Sequence, residues 1–242
     1  MKKFYYSMCL LVISSATFAQ VNPKLQVKLD QQAKEIEPKL IEWRRDFHKS
    51  PELSNQEYKT GAKIAEFLKS LGMEVKYPVA KTGVVGILKG ELPGPVVALR
   101  ADMDALPVTE RNSLPFLSKE KAIFNGQETG VMHACGHDSH MAILMATAEI
   151  LSKNKSELKG TVKFLFQPAE EGAPDPGDAG ALLMVKEGVL ENPKVDAVFG
   201  LHIQSLLPSG TISYRPEGLM AAVDGLKIKI IWQRRAWSHA LG

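Results

Sequence analysis

Three histidines and a thiol fall within nine consecutive residues, Met132-His133-Ala134-Cys135-Gly136-His137-Asp138-Ser139-His140. A thiolate and an imidazole one residue apart can bind a single borderline-soft divalent ion from an irregular loop, and Gly136 lets the backbone wrap closely. A core cysteine among scattered polar histidines is the alternative, and the loop by itself does not choose. Glu170 and Glu171 form a second candidate group, placed after Phe164-Leu165-Phe166-Gln167-Pro168-Ala169. On an extended segment adjacent side chains point in opposite directions, so only one easily faces a given ion. In a turn at a strand end both can line a site. One would be a ligand, the other a base that takes a proton from water acidified by the ion and later protonates a leaving amine. Two solvated surface glutamates are the commoner fate of such a pair, and the apolar run before this one argues against it. Asp102 and Asp104 flank Met103, and alternation puts both on one side of a strand end. Orientation of a ligand or of the base is one role for them; a structural turn serves Asp102 nearly as well. His202, after Phe199-Gly200-Leu201, is a candidate ligand by position.

These residues need elements that bring them together. Leu25, Leu29, Ile36, Leu40, Trp43 and Phe47 recur at roughly helical spacing, which predicts a helix over 23–49. A second helix is predicted over 57–71, stopped by Gly72, and a near-continuous apolar helix over 140–151. A further helix is predicted over 179–187, and strands over 83–88, 96–99, 161–166 and 195–201. Alternating strands and helices argue an α/β fold, with helices flanking a mostly parallel sheet. Three of the strands run straight into the candidate residues: 96–99 into Asp102 and Asp104, 161–166 into Glu170 and Glu171, and 195–201 into His202. Ligands of open α/β sheets gather beyond the carboxyl ends of the strands, so a site assembled there from distant segments is expected.

The chain has 242 residues, 45% of them apolar, enough for one substantial core or one domain and part of a second. Its formal net charge of +3 is small and its charges are interspersed. No basic run tracks a nucleic-acid backbone, so no nucleic-acid partner is expected. Lys2 and Lys3, the apolar run from Met8 to Ile13, and small residues up to Ala19 have the layout of a secretory signal. The apolar run is too short to span a bilayer, which takes ~20 residues. Residues 1–19 are therefore expected to be cleaved, giving a periplasmic or secreted protein that is not held at a membrane. Cys9 leaves with the leader, so Cys135 is then alone and has no partner for an internal disulfide.

Taken together, the segments Trp43-Arg44-Arg45-Asp46-Phe47-His48, Pro51-Glu52-Leu53-Ser54 and Leu99-Arg100-Ala101-Asp102-Met103-Asp104-Ala105-Leu106-Pro107 resemble the peptidase M20 family, in particular its subfamily D. So do Met132–Asp138, Phe166-Gln167-Pro168-Ala169-Glu170-Glu171-Gly172 and Gly200-Leu201-His202. The resemblance implies a catalytic domain of the metal-dependent exopeptidase type. It makes Cys135, His137, Glu171 and His202 ligands of a centre of two divalent ions, Glu170 the general base, and Asp104 the acidic residue that orients the centre. Zinc, manganese, nickel and cobalt all serve such a centre, and a Cys/His/Glu set does not choose among them. The implied reaction is hydrolysis of the amide bond of a small N-acyl amino acid. A di-metal aminopeptidase or carboxypeptidase of the same superfamily is the runner-up, and a non-catalytic remnant of a disrupted gene is a third reading.

Members of that family are longer. A smaller α/β lid domain, through which they form homodimers, interrupts the catalytic domain before it resumes with a final histidine ligand. The expected division here is a catalytic part over 20–220 and the start of a lid over 221–242, aberrant after about residue 231. The stretch Ile231-Trp232-Gln233-Arg234-Arg235-Ala236-Trp237 stands where a Gly-rich turn and a His-Gly-x-x-Pro stretch belong. Read one nucleotide later, Ala236-Trp237 can give His followed by Gly, so a frameshift near 231–236 is expected, with little activity from the chain as written.

Overall fold

The computed structural model describes residues 22–172 and 179–214. The expected leader and the expected lid segment over 221–242 lie outside them. Two compact units divide the chain, Met1–Ile203 and Gln204–Gly242. All helices and strands described here belong to the first; the described backbone of the second, 204–214, contains turns but no helix or strand.

The long helix α1 spans Pro23–Lys49. Asn22 caps it by accepting the Lys24 N–H at 3.0 Å, and Pro23 occupies the first turn, where a missing N–H costs nothing. Helix α2 spans Tyr58–Ser70, α3 His137–Lys153 and α4 Gly180–Lys186. The strands are β1 Glu74–Val79, β2 Gly83–Lys89, β3 Leu92–Asp102, β4 Lys121–Phe124, β5 Gln127–Gly130, β6 Lys159–Gln167 and β7 Ala197–Gly200. Five of them form one sheet in the order β1-β2-β6-β3-β7.

The sheet is mixed. β3 runs parallel to both β6 and β7, whereas β1–β2 and β2–β6 are antiparallel. The expected parallel character holds for the half that ends at the candidate residues. The other half is antiparallel because only Ala80, Lys81 and Thr82 separate β1 from β2, too few for a parallel crossover. Side-chain alternation along β6 builds the two faces. Val162, Phe164 and Phe166 pack with Phe47, Ile64, Leu68, Met141 and Met145 in the main core under α1, α2 and α3. Leu165 joins Val85, Ala98, Met184 and Val189 on the opposite face, beside α4. Helix α3 is apolar nearly all round and correspondingly buried.

A small satellite core of Leu53, Ala105 and Val131 sits under the β4–β5 hairpin, with Phe124 packed against it. Neither β1 nor this hairpin is among the expected elements. The hairpin's signal was present: Asn125-Gly126 adopts φ +51° and +78°, the left-handed pair that a two-residue turn requires.

Candidate metal centre

His137 opens α3 at its buried end. Gly136 precedes it at φ +94°, and a Cβ there would lie 2.2 Å from Ile203 Cγ2, so this position demands glycine for conformation and for space. The His137 Nδ1–H donates to the Asp104 backbone carbonyl at 2.8 Å. A carbonyl only accepts, so the Nε2 lone pair is turned the other way. Nε2 is buried without a hydrogen-bond partner. It lies 3.6 Å from Asp102 Oδ2, 3.7 Å from Glu171 Oε1 and 3.8 Å from Glu170 Oε2.

The other expected ligands converge on the same ring. Cys135 Sγ is 3.4 Å from His202 Nε2, while the His202 Nδ1–H donates to the Ile203 carbonyl at 2.6 Å, again leaving Nε2 as the free lone pair. Donor atoms of Cys135, His137 and His202 lie within 4.8 Å of one another, and so do those of His137, Glu170 and Glu171. Both groups could hold a metal ion, and His137 is common to them. The glutamates do not point apart as they would on a straight strand. β6 ends at Gln167, and Ala169 takes a left-handed φ of +48°, which turns the chain so that both carboxylates reach His137.

Asp104 is buried at the crossing of these segments. Its Oδ2 accepts the Ser54 hydroxyl at 2.6 Å and the Glu171 N–H at 3.0 Å. One residue thus fixes His137 through its carbonyl oxygen and the glutamate turn through its side chain. Asp102, whose role the sequence leaves open, accepts the His140 Nδ1–H at 2.6 Å and Arg100 Nη1 at 2.8 Å. Burial alone would raise its carboxyl; the His140 bond, with Arg100 and His137 nearby, brings it down to about 2. Asp102, His137 and His140 also approach one another within 4.8 Å. Both His140 nitrogens are already committed, however, because Nε2 accepts the Ile203 N–H at 2.8 Å. His140 therefore orients Asp102 and the His202 segment. His133, the third loop histidine, is buried with neither ring nitrogen hydrogen-bonded, and burial pushes its pKa down to about 4.

The electrostatics fit a cation. Burial disfavours a charged His137, yet Asp104 and Asp102 outweigh it and raise the pKa. Burial raises Glu170, and Asp102 and Glu171 raise it further. Cys135 is pushed up to about 12 by burial and then by Glu171, Glu170 and Asp102. Four carboxylates, Asp102, Asp104, Glu170 and Glu171, lie around His137 and Cys135, and a divalent ion would offset that negative charge while drawing the thiol to its thiolate.

Behind the loop, residues that sequence reasoning missed brace it. Asp138, in the first turn of α3, takes His48 Nδ1 at 2.9 Å and has Arg44 Nε at 2.9 Å, while His48 Nε2 meets Glu110 at 3.0 Å. Arg44, His48, Asp138 and Ser54 all lie in motifs already noted, so their signal was there although no role was read from it. Asp138–His48 pairs residues 90 positions apart, and no local pattern reports such a contact.

The fold and the donor cluster define an α/β protein with a candidate metal centre at the carboxyl edge of its parallel strands. The chain belongs to peptidase family M20/M25/M40, whose family model matches residues 98–239. It is 48% identical over 204 residues to "Thermostable carboxypeptidase 2" of Saccharolobus solfataricus, covering 84% of this chain and 49% of that protein. It is 46% identical over 198 residues to "N-acyl-L-amino acid amidohydrolase" of Geobacillus stearothermophilus, covering 81% and 50%. Among solved structures it resembles the Bacillus subtilis YXEP protein, described as "a Dinuclear Metal Binding Peptidase from M20 Family", with a TM-score of 0.63 and 46% identity. That match covers 72% of this chain and 45% of the other. The chain thus spans about half the length of the curated relatives it matches.

Proposed function

We propose that the cluster is a two-metal amide-hydrolase centre acting on small N-acyl amino acids. The observation that carries this reading is the buried, unpartnered His137 Nε2 facing carboxylates from two strand ends, with a thiol and a second imidazole close by. Cys135, His137, Glu171 and His202 would hold zinc, manganese, nickel or cobalt ions. When bound, such ions polarise the substrate carbonyl and acidify water.

Glu170 takes the proton from the attacking water and returns it to the leaving amine. Two observations support the division of labour between the glutamates. Glu171 interacts with both Cys135 and His137, and 23% of its side chain is exposed. Glu170 is 37% exposed, so water can reach its carboxylate, and its raised pKa suits a base. Asp104 holds His137 and the Glu171 backbone in register.

The test is metal content and turnover on one preparation. Two equivalents of bound ion, and release of amino acid from N-acetyl and N-benzoyl amino acids, are expected of this centre, the release being slow where the frameshift expected near residues 231–236 disrupts the chain. Less than two equivalents with no turnover would leave the reading without support and favour a non-catalytic remnant. The identity to a carboxypeptidase favours a second reading, cleavage of a peptide's carboxyl-terminal residue. Faster turnover of unblocked or blocked peptides than of N-acyl amino acids would favour it. Export belongs to the same proposal and rests on the order of residues 1–19; amino-terminal sequencing of the protein from its own cell should begin near Gln20.

A further inference from the structure

Glu57 is wholly buried just before α2, far along the chain from every residue of the metal cluster. One of its oxygens, Oε2, accepts the Thr82 hydroxyl at 2.6 Å, and the other, Oε1, accepts the Ala169 N–H at 2.9 Å. Ala169 is the residue with φ +48° that immediately precedes the two glutamates. The next N–H groups are also taken from inside the protein. Asp104 accepts from Glu171 at 3.0 Å and is hydrogen-bonded by the Glu170 backbone as well.

Three successive backbone N–H groups in a left-handed turn form a concavity that binds anions. Here the protein fills that concavity with two of its own carboxylates. The amides point inward, so the side chains of Glu170 and Glu171 are thrown outward toward His137. Alanine has no intrinsic preference for the left-handed region and loses energy there, so an outside anchor must hold Ala169 in it. Gly83 admits the turn from the other side: a Cβ on it would lie 2.7 Å from Pro168 Cδ.

We propose that Glu57 is a positioning residue for the metal centre, anchoring the left-handed turn at Ala169 that aims Glu170 and Glu171 at His137. The inference rests on the metal-centre reading above. Burial raises the Glu57 carboxyl to about 7, with the Thr82 and Ala169 bonds opposing and Asp104 adding to the rise. The carboxyl therefore pays a desolvation cost that a purely space-filling residue would not incur.

The test is a cobalt(II) titration of the full chain and its variants, followed through the thiolate and ligand-field absorption bands, with far-ultraviolet circular dichroism to confirm folding. Glu57→Ala should weaken cobalt binding about 10- to 100-fold, the range for residues that support ligands. Glu57→Gln keeps an acceptor for Ala169 and can donate to Thr82, so it should bind close to the parent. Ala169→Gly in the Glu57→Ala background should recover affinity, because glycine takes a positive φ without an anchor. That rescue is one a general loss of core packing would not show. Parent-like binding and spectrum in a folded Glu57→Ala chain would overturn the positioning role and leave the metal reading standing. Absence of cobalt binding by the parent would overturn both. If Glu57→Ala does not fold alone, the double variant decides: parent-like affinity supports the proposal, and a folded double variant that binds cobalt about 10-fold or more weaker than the parent overturns it.

Discussion

The two banks of the site are held in place by opposite means. On the Cys135–His140 bank, backbone carbonyls and a carboxylate receive imidazole N–H groups: Asp104 O holds His137, Ile203 O holds His202 and Asp102 holds His140. On the Ala169–Glu171 bank, buried carboxylates receive backbone N–H groups, and the functional side chains are what is left over. The first bank fixes which nitrogen carries a lone pair. The second fixes where a flexible carboxylate starts from. A ring needs its tautomer and rotation set, whereas a glutamate needs only its backbone aimed. Within the imidazole bank His137 and His140 are buried on α3, whereas His202 is exposed, and the carboxylate bank is partly open to solvent.

Substitutions should separate the banks, beginning with the residue they share. His137→Ala removes the nitrogen on which both donor groups converge, and metal affinity measured by calorimetry should fall by more than the ~100-fold that supporting residues reach. Retention of one tight equivalent would show that the carboxylate bank binds independently. Asp102→Asn leaves one acceptor for two donors, His140 Nδ1 and Arg100 Nη1, and should cost about 10- to 100-fold in metal affinity.

The same change has a signature in acid. Asp102 is depressed to about 2 in the folded chain, against ~3.9 in an unfolded one. A depressed carboxylate contributes stability that is fully present above the unfolded value and is lost as pH falls through the folded one. Metal-free parent should therefore lose stability between about pH 4 and 2, and Asp102→Asn should flatten that window in urea unfolding. An unchanged acid limb would place the stabilisation elsewhere.

Gly136→Ala tests the geometry of the imidazole bank. Its Cβ would meet Ile203 Cγ2 at 2.2 Å in a φ +94° backbone, so a loss of about 1–3 kcal/mol in unfolding free energy is expected. The smallest effect concerns Cys135. With its thiol pushed up to about 12, metal-free chain at pH 8 should react with iodoacetamide more slowly than free cysteine. Glu171→Gln should speed that reaction. If it does not, the Cys135–Glu171 coupling across the two banks is absent.

Much of this was legible along the chain. Helix α1 was expected over 23–49 and spans Pro23–Lys49, because its stripe of apolar residues is a local signal. Cys135, His137, Glu170, Glu171 and His202 could be picked out because each lies in a dense motif or directly after an apolar strand. The sheet's mixed direction could not be read with the same certainty, since a strand's hydrophobic pattern does not encode its neighbour's direction.

The sequence by itself determined the donor types, the glycine between thiol and imidazole, the family, and the edge of the sheet at which the donors gather. Those follow from residue identity and from periods of 2 and 3.6, which act over a few positions. Only the tertiary structure decided that His140 orients while His137 presents a free nitrogen, that Asp104 serves both banks, and that Glu57 reaches Ala169 across 112 positions. Those outcomes depend on which buried hydrogen-bond donors and acceptors meet once the chain is packed. Burial favours each such pairing, because an unmet polar group in the core costs roughly 1–3 kcal/mol.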